Sequence, residues 1–177
     1  GVSPFIKQTF DNNTINGEPW SKYAAGYMWG VTGIIYNPED VTKQEASTWK
    51  IINNDKFRRM ITVKDNVRDT MFAAIGAIKS DKLRSQDFIR QADYTDKLAE
   101  EMNDTSKDTV DEVLEYLQQV KDNVYSFETD SGKIDAITGK ISAGYQWSGD
   151  AVYIMQQAEA NDVELNFAIP EECTNMY

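Results

Sequence analysis

Apolar positions along this chain fall into short β-rich runs that alternate with stretches of helical spacing. Residues 26–36 form an apolar run closed by Asn37-Pro38, which reads as a buried strand interrupted by Gly30 and Gly33. Further strand-like runs lie at 59–63, 124–127, 141–146 and 163–169, the last closed by Pro170. Between them, Ser47-Thr48-Trp49 starts a short helical segment through Ile52, and Asp65-Asn66 opens a longer helix that either residue can cap. Val67, Met71, Ala74, Ile75 and Ile78 give that helix one apolar face. Residues 86–103 read as a single acidic amphipathic helix around Phe88, Ile89, Ala92, Leu98 and Met102. Asp108 is expected to cap the next, whose stripe is Val110, Val113, Leu114, Leu117 and Val120. A short helix around 134–137 stops at Gly139, and Ser148-Gly149-Asp150 begins another that runs to about Asn161. Residues 1–22 are polar and turn-rich and read as an irregular lead-in.

Strands alternating with helices predict an α/β fold: a three-layer αβα domain with a mostly parallel mixed sheet of about five strands. At 177 residues, without repeat or linker, the chain is expected to form a single domain over 1–177.

The net charge of −11 argues against a nucleic-acid partner. It is unevenly spread, with a net of +3 over residues 1–85 and −14 over 86–177. An acidic half attracts cationic solutes, although solvated helices account for most such bias. There is no histidine, which removes Ser-His and Cys-His catalysis and the commonest transition-metal ligand together. Cys173 is the single cysteine, so no intrachain disulfide forms. Asp65 with Glu128 or Asp130 as acid and base lacks any supporting spacing. The expectation is a protein that is not an enzyme, with no catalytic residues, metal or cofactor. No apolar run approaches the length of a membrane span.

Two tryptophan-centred turns carry the candidate chemistry: Tyr27-Met28-Trp29-Gly30 and Gln146-Trp147-Ser148-Gly149-Asp150. Each places a Trp at an apolar strand end, just before small residues that let the backbone turn and a ligand approach. Aromatic plates beside a carboxylate suit an organic cation, because a ring face attracts ammonium while its area covers methylenes. The alternative is that both indoles are core. In α/β sheets ligands sit beyond the carboxyl ends of the strands, at helix N-termini. Trp29, the helix start at Asp65 to Arg68 and the helix start after Trp147 converge on that edge. Asp65 and Asp150 read equally as plain caps, and Arg68 as a surface ion-pair partner.

The series Tyr-Met-Trp-Gly-Val-Thr-Gly-Ile, Ser-Thr-Trp, Asp-Asn-Val-Arg, Gly-Lys-Ile-Ser-Ala-Gly-Tyr-Gln-Trp-Ser-Gly-Asp-Ala and Phe-Ala-Ile-Pro-Glu-Glu, in that order from about Phe10 to Tyr177, resembles the spermidine/putrescine-binding proteins of bacterial ABC importers. The resemblance implies a lobe of the periplasmic-binding-protein type II fold, the second of two lobes that close on a polyamine. Hinge segments are expected near 19–26 and 168–177. It implies that Trp147 packs against the polyamine chain, that Arg68 lies at the cleft and that Thr129 supplies a hydroxyl. Tyr177 would form a second aromatic wall. Asp65-Asn66 stands where the family often has Asp-Asp, which leaves open the choice between putrescine and spermidine. The implied partners are a first lobe, the polyamine and ABC permease subunits. The implied location is extracytoplasmic, held at the membrane by a lipid anchor or a permease fusion. Residues 80–105 resemble an insertion, expected as an extra helix away from the cleft. The alternatives are a lobe for another solute and an independent effector-sensing or interaction domain.

Overall fold

A computed structural model describes residues 2–177, and the chain divides into two compact units. The first holds the residues up to Gly30 together with Tyr177. Here the expected irregular lead-in is ordered. Helix α1 (Pro4–Asn12) starts with proline in its first turn, where a missing N–H is tolerated. Strands β1 (Thr14–Ile15) and β2 (Glu18–Pro19) pair as an antiparallel hairpin. Asn16 (φ 53°) and Gly17 (φ 79°) supply the two left-handed residues that such a tight turn needs. Phe10 meets Trp20 edge to face at 5.8 Å between ring centroids. Gly30 and Tyr177 exchange both backbone hydrogen bonds, at 2.9 and 3.0 Å.

The strand expected over 26–36 begins only at Thr32. Tyr27 is 92% exposed and Trp29 56%, so the first half of that apolar run has no sheet to enter.

The second unit, residues 31–176, is the α/β body. In chain order it contains β3 (Thr32–Tyr36), α2 (Lys43–Ala46), β4 (Ile61–Lys64), α3 (Val67–Ile78), α4 (Ser80–Leu83), α5 (Gln86–Ile89), α6 (Tyr94–Met102), α7 (Lys107–Asn123), β5 (Ser126–Glu128), α8 (Gly132–Ile137), β6 (Ala143–Trp147), α9 (Ser148–Glu159) and β7 (Asn166–Ala168). Short 3₁₀ turns at Trp49–Asn53 and Asp55–Phe57 lie between α2 and β4. The five strands form one mixed sheet in the order β5-β4-β6-β3-β7. β4 runs parallel to β5 and β6, while β3 runs antiparallel to both β6 and β7. Four strands therefore share one direction, and β3 alone opposes them.

Alternation along the strands sorts the core into two layers. Ile34, Tyr36, Ile61, Val63 and Tyr145 face Trp49, Ala73, Ala77 and Val120. Ile35 and Ile141 face Ala136, Ala151, Ile154 and Ala158 of α8 and α9. A third cluster of Ile75, Leu83, Phe88, Met102 and Val113 joins α4–α6 to the outer side of α3 and α7.

The single helix expected over 86–103 is two. Phe88 and Tyr94 stack edge to face at 5.7 Å, and residues six apart do not share a face of one continuous helix. The break at 90–93 lets both reach the same core. Ser106, not Asp108, caps α7, accepting from the Thr109 N–H. Asp108 lies in its first turn.

Candidate ligand-binding edge

The carboxyl ends of β4, β5 and β6 bring Lys64, Glu128 and Trp147 to one edge of the second unit, where α3, α8 and α9 begin. Asn66 is the residue that caps α3: its side-chain oxygen accepts from the Asp69 N–H at 2.8 Å, and its Nδ2 donates to Asp69 Oδ2 at 2.7 Å. That reciprocal cap fixes the Asp69 carboxylate, which in turn accepts the Trp147 indole N–H at 3.2 Å. The indole is thus oriented by a first-turn carboxylate seventy-eight residues earlier. Asp65 is released from capping; its side chain is exposed, and its backbone N–H donates to Glu128 O.

Lys64 ends β4 and is 1% exposed. The parallel register pairs Thr62 with Gly144, so two residues on Lys64 lies beside Gln146. Its ammonium donates to Gln146 Oε1 at 2.7 Å and to Thr129 O at 3.1 Å, and lies 4.0 Å from the centroid of the Trp147 ring. Burial pushes this amine below the ordinary lysine range; Asp150, Asp69 and Asp130 oppose that, and Lys133 reinforces it. Lys133, in the first turn of α8, bridges Asp130 at 3.1 Å and Asp150 at 2.9 Å. Buried Glu128 accepts from Ser131 Oγ at 2.7 Å. A Cβ at Gly132 would fall 1.8 Å from Glu128 Oε1, so any larger residue here would displace the Glu128 carboxylate from its place beside Ser131.

At the start of α9 the N-cap residue is Trp147, whose side chain makes no capping bond. The Ser148 hydroxyl accepts instead from the Val31 N–H at 3.1 Å, and the Ser148 N–H donates to Val31 O at 2.7 Å. Ser148 thereby ties the helix start to the chain just before β3.

Of the six residues singled out from the sequence, Asp65, Arg68, Thr129 and Trp147 belong to this edge. Trp147 is half-buried, and the other three are exposed. Arg68 engages no partner side chain among the described residues. Thr129 enters through its carbonyl, which holds Lys64. Trp29 and Tyr177 belong to the first unit and are both exposed there. The alternative in which both turn tryptophans are core does not hold: the fully buried indole is Trp49, which donates to Cys173 O at 3.0 Å.

Sequence reasoning passed over Lys64, Asp69, Gln146 and Lys133 as site residues. The signal available for Lys64 was a cation ending the apolar run Ile61-Thr62-Val63 directly before a helix start. At this edge Asp65, Asp69, Asp130 and Asp150 face Lys64, Arg68 and Lys133, so the strong acidity of the C-terminal half is not concentrated here. Among the described residues no group of three or more Cys, Asp or Glu side chains is arranged to hold a metal ion.

A family model described as bacterial extracellular solute-binding protein matches residues 3–176. The spermidine/putrescine-binding periplasmic protein 1 of Haemophilus influenzae is 20% identical over 152 residues, covering 86% of this chain and 36% of the relative. Among solved structures, the spermidine/putrescine ABC transporter substrate-binding protein PotD from Streptococcus pneumoniae superimposes with a TM-score of 0.71 at 20% identity, covering 99% of this chain and 45% of that one. The TpPotD lipoprotein of Treponema pallidum gives 0.60 at 16% identity, covering 82% of this chain and 39% of that one. The chain thus spans less than half the length of each of these relatives.

Proposed function

Since this chain belongs to the family of bacterial extracellular solute-binding proteins, the substrate-capturing components of ABC importers, we propose that it is the second lobe of a polyamine receptor that takes putrescine or spermidine. The observation that carries this reading is the Trp147 indole, held at the carboxyl edge of the sheet by Asp69, with Asp65, Asp130 and Asp150 on the same edge. A polyamine is a flexible chain with two or more positive charges, so its receptor needs aromatic surface for methylenes and acidic groups for nitrogens. The resemblance in ordered motifs and the names of the relatives point to the same ligand class.

In this reading a first lobe supplies the remaining contacts, and closure of the two lobes excludes water and strengthens each charge contact. The 177-residue chain alone binds polyamine weakly. The receptor works outside the cytoplasm, tethered by a lipid anchor or a permease fusion, and delivers to ABC permease subunits.

A second reading, a lobe for an anionic solute, is favoured by the exposed Arg68 and by the buried Lys64 ammonium at Trp147. Calorimetric titration of the full-length protein with putrescine, spermidine and inorganic phosphate separates the two. The polyamine reading expects saturable heats with the amines and none with phosphate. It also expects Trp147→Ala to weaken amine binding by about thirtyfold, the equivalent of roughly 2 kcal/mol for a lost cation–π stack. Binding of phosphate without amines, or unchanged amine affinity in Trp147→Ala, contradicts it.

A further inference from the structure

An indole at a ligand edge ordinarily offers its face to a cation of the ligand. Here the protein's own chain supplies one: the Lys64 ammonium lies 4.0 Å from the Trp147 ring centroid. We propose that Lys64 is a specificity-determining residue of this edge, whose ammonium, seated against Trp147, counts against the positive charge a ligand brings, so that the site takes a diamine in preference to a triamine. The inference rests on the amine reading of the site.

Three features make Lys64 a fixed charge rather than a displaceable one. Its side chain is closed off from solvent. Its three ammonium protons have two neutral oxygen acceptors, Gln146 Oε1 and Thr129 O, and its departure would leave the buried Gln146 Oε1 without its donor. Its backbone is pinned as well, because the Thr70 hydroxyl donates to Lys64 O at 2.6 Å.

Among the described residues no carboxylate is in contact with this charge. Asp130 and Asp150 are bridged by Lys133, and Asp69 already accepts from Asn66 and from the Trp147 indole. Both atoms that receive the Lys64 protons are neutral oxygens. A ligand ammonium across the indole from Lys64 would lie on the order of 8 Å from Nζ, within one Debye length and beside low-dielectric wall. Repulsion there weakens binding by on the order of tenfold for each ligand charge brought that close. A second or third ammonium therefore gains little at this edge, where the aspartates are nearly matched by cations.

The test is calorimetry on the full-length protein with butylamine, putrescine and spermidine, in the wild type and in Lys64→Met, Lys64→Gln and Lys64→Arg. Lys64→Gln keeps a donor for Thr129 O and Gln146, which guards against loss of folding in Lys64→Met; urea melts accompany each variant. The wild type is expected to bind putrescine more tightly than spermidine. Neutral substitution is expected to tighten spermidine about tenfold or more, to change butylamine least, and to reverse the order of the two polyamines. Lys64→Arg is expected to keep the wild-type order. A wild type that already prefers spermidine overturns the inference, as does an unchanged spermidine-to-putrescine ratio in folded Lys64→Gln. Equal weakening of all three amines overturns it too, by making Lys64 a purely structural support. Absence of any amine binding by the wild type overturns the amine reading itself, a result distinct from the others.

Discussion

Replacing Glu172 by alanine should loosen the segment that returns across the second unit after β7. Glu172 is 0% exposed, and its carboxylate accepts from the Ser80 hydroxyl at 2.5 Å, from the Trp49 N–H at 3.3 Å and from the Thr48 hydroxyl. No cation is among these partners, so the buried charge is held by three neutral donors. Neighbouring residues extend the clasp: Glu171 N–H donates to Ser47 O, and the Trp49 indole donates to Cys173 O. Further on, the Thr174 hydroxyl donates to Thr32 O at 2.7 Å, and the Thr32 hydroxyl donates to Asn175 Oδ1 at 2.6 Å. Thr32 is the register partner of Trp147, so this clasp also steadies the ligand edge. Hydrogen bonds to a charged group contribute about 1.5–3 kcal/mol each, and desolvation of the carboxylate offsets several kcal/mol of their sum. The expected net loss for Glu172→Ala is about 3 kcal/mol. Glu172→Gln keeps the volume and one accepting oxygen and is expected to lose about half of that. Urea unfolding followed by circular dichroism measures both. A loss below about 1 kcal/mol for Glu172→Ala, or a larger loss for Glu172→Gln than for Glu172→Ala, would refute the assignment of Glu172 as the anchor of this segment.

Two other outcomes follow from groups away from the ligand edge. Glu45 closes a capping box with Thr42 and pairs with Lys56 at 2.7 Å, and these contacts, Lys56 first, hold its carboxyl down at about 2 against an ordinary 4.5. A depressed folded-state value means that its stabilisation is complete above about pH 4.5 and is lost as pH falls towards 2. Thermal melts between pH 6 and 2 should therefore show a shallower decline in Glu45→Gln than in the wild type, and identical slopes would contradict this. Burial, with the nearby Glu172 charge, pushes the Cys173 thiol up to about 12. Iodoacetamide at pH 8 should therefore label the native protein far more slowly than the urea-unfolded chain, and equal rates would contradict this.

Much of the fold is legible in the apolar pattern, and the failures have physical causes. All five strand runs mark strands of the sheet, because alternation between two buried layers keeps Ile34, Ile35, Ile61, Val63 and Tyr145 apolar on either side. Tyr27-Met28-Trp29 has the same composition yet stays exposed: an apolar run specifies a strand only where a sheet is there to receive it. Pro4 in a first turn and Asn16-Gly17 in a hairpin are local signals that polarity masked. The candidate edge is legible in part, through its helix starts and Trp147. Which of Asp65 and Asn66 caps α3 depended on Asp69, whose reach to the indole no spacing reveals. Lys64 was hidden for a similar reason. Its burial is made acceptable by Gln146, Thr129 and Trp147, which lie sixty-five or more positions further along the chain.

The claim that the Trp147 edge receives an organic amine is tested most directly by the indole N–H resonances of the ¹⁵N-labelled full-length protein during titration with putrescine. The Trp147 signal is identified by its loss in Trp147→Phe, and the signal of buried Trp49, bonded to Cys173 O, serves as internal reference. Amine binding at this edge should give a saturable shift of the Trp147 resonance that tracks the calorimetric isotherm while Trp49 stays in place. A Trp147 resonance that does not move when putrescine binds, or one that moves only with phosphate, would contradict it.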